Sequence, residues 1–240
     1  MIIFGMDIET IPNQQISVAC IPVFDPSEIK HGNTKDPLKI AGKEASERLK
    51  FQESLNKQMS LDPALCQLCT FVGIRYDTGK KEVLSSTTIQ LTTEDGHDDL
   101  EAVIDAWGAI HDNYRQRFPV VTFNGISFDL PVLNMRGLLQ DVPIDKGMYD
   151  RLMMRHGNQY HYDLMQILAN WDRQRWHTQD FYFRLFGLGD KSDFNGSMVF
   201  DAYKAGEFEK IQTYCRSEVV LMCELFSRIE PWIKIIREGE

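Results

Sequence analysis

No apolar run in this chain of 240 residues approaches the roughly 20 needed to cross a bilayer, so a membrane span is not expected. No basic stretch followed by an apolar core precedes Ile2-Ile3-Phe4, so a secretory leader is not expected either, and the cytoplasm is the expected compartment. Cysteine is scarce and odd in number. Five in a chain this long argue against a disulfide framework or a disulfide-linked partner, and for a reducing compartment. Positive charge is also short: 26 lysines and arginines stand against 35 aspartates and glutamates, a formal charge of −9. That balance speaks against a basic face gripping duplex nucleic acid by its phosphates. A sum of charges does not, however, separate a diffuse acidic surface from carboxylates gathered around a metal. There is no internal repeat and no low-complexity tract. The 14 Phe, 8 Tyr and 4 Trp are too many aromatics for a disordered chain, and the length suits one globular domain over residues 1–240.

The opening run, Ile2 to Ile8, reads as a strand buried on both faces. Residues 13–62 change character. Pro12, Pro22, Pro26 and Pro37 mark loop, and Ala41 to Met59 reads as a mostly solvated helix, so this stretch is expected to be a surface insertion forming a helical arm. Cys69 to Tyr76 and Lys81 to Leu91 are β-rich and flank the turn cluster Asp77-Thr78-Gly79-Lys80, which predicts a hairpin. A helix follows over about 98–117, with Leu100, Val103, Ile104, Trp107 and Ile110 at helical spacing. Pro119 to Phe123 predicts a short buried strand, broken by Asn124-Gly125, with a helix beginning between Ser127 and Pro131. Tyr160 to Leu164 suits a fifth strand. The last helix is expected over about Glu207 to Ile229, with an apolar stripe of Ile211, Tyr214, Val219, Met222, Leu225 and Phe226. Early strands, interleaved helices and a helical C-terminal third predict an α/β fold with a mixed sheet.

Three places can carry chemistry. Asp7 and Glu9 stand two apart on the first strand and so share a side. Paired carboxylates at the end of a buried strand call for a counter-charge, and hard oxygen donors suit Mg²⁺ or Mn²⁺, although a solvated strand end has the same spacing. Asp129 follows Asn124 and Phe128 where a buried strand breaks into a helix, at the kind of carboxyl end where α/β sheets bind ligands, or as an ordinary first-turn acid. Tyr214 and Glu218 are four apart on the last helix, on the face that also carries Ile211 and Met222. By contrast Asp99 and Glu101 sit at a helix start, where acids only complement the dipole. Cys66 and Cys69 make half a zinc site with no second half, and read as core cysteines.

In order, the chain presents Asp-x-Glu on the first strand, Asn-x-x-x-Phe-Asp after a middle strand, and Tyr-x-x-x-acid on the last helix. This resembles the three exonuclease motifs of the DEDDy 3′–5′ exonucleases. It resembles in particular the predicted 3′–5′ exonucleases related to the proofreading domain of B-family DNA polymerases. Met6-Asp7-Ile8-Glu9-Thr10-Ile11-Pro12, His161-Tyr162-Asp163-Leu164-Met165 and Gly187 to Ser192 through Gly196-Ser197 are similar to that family's segments. The resemblance implies a ribonuclease H-like mixed sheet flanked by helices and a metal-dependent exonuclease acting on single-stranded DNA or RNA 3′ ends. By resemblance, Asp7, Glu9 and Glu218 hold one Mg²⁺ or Mn²⁺, and Asp7 and Asp129 a second. Tyr214 orients the water, Asn124 and Phe128 position the terminal nucleotide, and Asp163 is a candidate supporting residue or a helix N-cap. Arg136, Arg151, Arg155, Arg173, Arg175, Arg184 and Lys191 are available for the strand's backbone. Glu218 departs from the family's aspartate. The extra methylene leaves open a catalytically degenerate module that binds nucleic acid or a protein partner.

Overall fold

A computed structural model describes residues 1–13, 15–32, 36–91, 99–155, 159–189 and 193–238, with side chains as far as residue 233. Residue 98 at the expected start of the second helix, and Asp190-Lys191-Ser192, lie outside the described residues. Five strands, β1 (Ile2–Pro12), β2 (Cys66–Asp77), β3 (Glu82–Gln90), β4 (Val120–Thr122) and β5 (His161–Asp163), form one sheet in the order β3-β2-β1-β4-β5. The helices are α1 (Pro37–Leu61), α2 (Asp99–Arg115), α3 (Asp129–Leu139), α4 (Lys146–Leu152), α5 (Leu164–Leu168), α6 (Gln179–Leu185), α7 (Val199–Lys204) and α8 (Phe208–Glu238). β1, β2 and β3 are antiparallel, while β4 runs parallel to β1 and β5 parallel to β4. The sheet is therefore mixed, as expected. No described helix is long and apolar enough to cross a membrane.

The alternation of β1 divides the core. Phe4, Met6 and Ile8 pack on one side of the sheet with Val103, Trp107 and Ile110 of α2 and Leu130 and Leu133 of α3. The opposite parity faces α8 and α7: Ile3 joins Val219, Met222 and Phe226, and Ile11 joins Ile211 and Tyr214. Asp7 and Glu9 share that second parity. Gly5 is what lets α8 lie against β1. A Cβ there would stand 2.3 Å from Cys223 Sγ and 3.2 Å from Val219 Cγ1, so a larger side chain would lift the helix.

Three helices differ from expectation, one in its buried face and two in a boundary. In α2 the predicted stripe is partly wrong: Leu100 and Ile104 are exposed, and Ala102 and Ala106 complete the buried face. Small residues let that helix sit close to the sheet. α8 continues nine residues past Ile229, through Pro231, because Ile229 and Ile233 extend the same buried stripe. α1 starts earlier, with Asp36 capping Leu38 N at 3.0 Å and Pro37 in the first turn. It is exposed except at Leu55 and Met59, and the Thr10 hydroxyl donates to Ser60 O at 2.6 Å, tying the end of the arm to β1.

Candidate active site

β1 and β4 pair only at Phe4–Val120 and Gly5–Val121. Asp7 and Glu9 therefore lie beyond the point where the two parallel strands part, at the carboxyl ends where α/β sheets open a crevice. On the other side of β1 the strand β2 bulges at Cys69, since Glu9 faces Thr70 while Thr10 faces Leu68. A bulge re-aims the neighbouring side chains and is common beside functional sites.

After β4 the chain turns sharply. Asn124 adopts φ 70°, and Gly125 sits so tightly on Thr122 that a Cβ would meet its hydroxyl at 2.3 Å. Asp163 fixes this turn, accepting from Asn124 N and Ile126 N, both at 3.0 Å, and also caps α5 through Gln166 N at 3.3 Å. The N-cap and the supporting role are thus the same carboxylate. Thr122 Oγ1 lies 2.7 Å from His161 Nε2, bracing the turn from β5. The result places Asp129 in the first turn of α3, 2% exposed and hydrogen-bonded to Asp7.

The third contribution comes from α8, where Tyr214 and Glu218 are 5% exposed and the tyrosine hydroxyl bonds to the glutamate. Four acids from β1, α3 and α8 thereby converge. Burial, and then Asp129, Glu9 and Glu218, push the Asp7 carboxyl well above its ordinary range. Burial likewise raises Asp129 to about 7, with Asp163 adding to it. The same surroundings push the Tyr214 phenol up, through burial first and then Glu218 and Glu9. Asp129 Oδ1 is buried with no hydrogen-bond partner among the described residues, and so is Asn124 Oδ1. Crowded like charges with an orphaned carboxylate oxygen form a donor set that fits divalent cations. Phe128 is half-buried, with one side against the α2–α3 core.

Sequence reasoning missed Cys215. Its thiol lies 3.7 Å from Asp7 O and 3.9 Å from Asp7 Oδ2, and its Sγ with one carboxylate oxygen each of Asp7 and Glu9 fits within 4.8 Å. Burial and all four acids hold it firmly protonated. The only signal was its position three residues before Glu218 on the same helix. One expectation fails at Arg136, which is buried and ion-paired with Asp99, Nε to Oδ2 at 2.9 Å, and so is not available to a strand. Cys66 and Cys69 face different cores and are each raised to about 12 by burial, as core thiols.

The family described as "Predicted 3′–5′ exonuclease related to the exonuclease domain of PolB" matches residues 63–234. The chain belongs to this family. The match begins just after the arm and so omits Asp7 and Glu9, which the fold returns to Asp129 and Glu218. This is a 3′–5′ exonuclease-like domain. No curated protein matches the chain. Among solved structures, the family B DNA polymerase from the archaeon Pyrobaculum calidifontis matches with a TM-score of 0.58 and 16% identity, over 97% of this chain and 25% of the polymerase. E. coli exonuclease I in complex with a dT13 oligonucleotide matches with a TM-score of 0.41 and 11% identity, over 99% of this chain and 43% of that enzyme. The chain spans a quarter of the polymerase's length and less than half of exonuclease I's. The polymerase likeness establishes the ribonuclease H-like fold.

Proposed function

We propose that the chain is a metal-dependent exonuclease that hydrolyses phosphodiester bonds from the 3′ ends of single-stranded DNA or RNA. The observation that supports this reading is the convergence of Asp7, Glu9, Asp129 and Glu218 from three distant segments around an orphaned carboxylate oxygen. Asp7, Glu9 and Glu218 would hold one Mg²⁺ or Mn²⁺, and Asp7 with Asp129 would hold a second. Bound together, such ions supply an activated water and offset the charge on the leaving oxygen of an in-line displacement. Tyr214, kept protonated by its surroundings and already bonded to Glu218, orients the attacking water as a hydrogen-bond partner rather than as a base. The Asn124 side chain, whose oxygen has no partner among the described residues, hydrogen-bonds the terminal nucleotide, and the half-buried ring of Phe128 stacks on its base. All five cysteines are free thiols, in keeping with a reducing compartment such as the cytoplasm.

The alternative of a degenerate binding module draws on Glu218 alone. Glu218 is buried among the other acids and bonded to Tyr214, so the extra methylene has not turned it out of the cluster. The decisive experiment follows 5′-labelled single-stranded DNA and RNA with Mg²⁺ or Mn²⁺. Stepwise shortening from the 3′ end is expected, abolished by EDTA and by Asp7→Ala. No shortening of either polymer with either metal at micromolar enzyme overturns the proposal.

A further inference from the structure

A row of aromatic rings links the residue before Asn124, through the core that packs on α8, to the surface, and the acidic cluster does not use it. Phe123, which precedes Asn124, packs against Tyr182 of α6 with ring centroids 6.0 Å apart. Tyr182 meets Phe181 edge-on at 5.3 Å and His177 at 6.0 Å, and His177 stacks on Phe181 at 4.1 Å with 21° between the planes. Tyr182 is buried, Phe181 is 42% exposed and His177 is exposed, so the row runs from the turn that carries Asn124 out to solvent. Thr178 caps α6, which makes the His177–Tyr182 contact an ordinary hydrophobic staple. The staple does not account for Phe181, which spends its outer face on water. Just ahead of His177 in the chain, the short helical turn Arg173–Arg175 holds two exposed arginines, Arg173 lying 5.3 Å over the Trp176 ring and Arg175 paired with Asp172 at 3.2 Å.

We propose that the exposed outer end of this row, the His177–Phe181 pair, is a stacking platform for the single strand upstream of its 3′ end. Bases stack on the His177–Phe181 pair, and phosphates meet Arg173 and Arg175. Every base has a π-face, so stacking of this kind tolerates sequence. A planar guanidinium held over an aromatic ring is preorganised for phosphate. The occupant follows from this mixture of rings and arginines in a chain that is acidic as a whole, and from the row's continuity with the Asn124 turn. The inference rests on the exonuclease reading for the direction of the strand, but its binding is measurable without cleavage.

The test is fluorescence anisotropy in EDTA, where no strand is cut, with labelled dT3, dT12 and an abasic 12-mer. The intact chain is expected to bind dT12 at least about 10-fold more tightly than dT3. It should bind dT12 at least about 5-fold more tightly than the abasic 12-mer, the low end of what stacking of one base contributes. His177→Ala with Phe181→Ala, both at exposed positions, should collapse these ratios. Arg173→Gln with Arg175→Gln should flatten the salt dependence. Arg48→Ala on the arm, where the guanidinium lies over the Phe24 ring and not over a ring of the row, should keep both ratios. Equal binding of dT3 and dT12, equal binding of dT12 and the abasic strand, or unchanged ratios in the double-alanine variant each overturn the platform. A chain that keeps the length advantage yet never shortens dT12 with Mg²⁺ or Mn²⁺ upholds the platform and sinks the exonuclease reading. Shortening without a length advantage does the reverse.

Discussion

Glu218 and Asp129 carry the sharpest residue-scale expectations. Glu218→Gln removes one carboxylate of the donor set and should lower the rate by about two orders of magnitude or more while raising thermal stability in EDTA, because one contributor to the repulsion that raises the Asp7 carboxyl is gone. Glu218→Asp keeps the charge and shortens the reach. A lower rate is the expected outcome, since Tyr214 and the cluster are built around the longer side chain; a large gain would mark the natural site as degenerate. Asp129 has a carboxyl raised from 3.8 to about 7. Between those values the folded chain binds more protons than the unfolded chain, so stability is present at low pH and lost as pH rises through the window. In EDTA the Tm should therefore fall from pH 5 to pH 7.5, and Mn²⁺ at pH 7.5 should restore it. A Tm in EDTA that rises over this range would contradict the coupling of these acids. Asp7→Asn should flatten the slope.

At the scale of elements, the placement of the site depends on how α8 lies across β1. Gly5→Val puts a branched side chain where even a Cβ meets Cys223 Sγ at 2.3 Å. Overpacking of this kind costs about 1–3 kcal/mol, and the lifted helix carries Glu218 and Tyr214 away from Asp7. The expected result is a lower denaturation midpoint together with a loss of activity larger than the stability loss explains, and Cys223→Ala should rescue part of both. The sequence made β1, the hairpin and α8 legible because their periodicities of 2 and 3.6 are strong and uninterrupted. It misjudged the end of α8 because the expected apolar stripe stops at Phe226, whereas buried Ile229 and Ile233 carry the helix on through Pro231. It missed Cys215 because a small apolar residue on a helix face looks the same whether it meets a core or a carboxylate. Arg136 was misplaced for a related reason. Its partner Asp99 stands 37 positions away, and spacing carries no information about such a pair.

For the molecule as a whole, the charge of −9 and the local arrangement of charge pull in different directions. Four acids sit in one cleft, and the arginines beside the aromatic row are few. Single-strand binding releases about 0.7 of a counterion per phosphate contact. With two arginines engaged, the slope of log K against log salt should be about −1.4, measured by titration between 50 and 200 mM salt. A slope of −5 or steeper would mean about seven phosphate contacts, more than these two arginines supply.

The thiol of Cys215 and the carboxylate of Asp7 stand 208 positions apart in the chain. Synthesis makes β1 well before α8. A nascent chain thus carries Asp7 and Glu9 before any partner from α8 exists, and the four-acid cluster closes only when that helix docks.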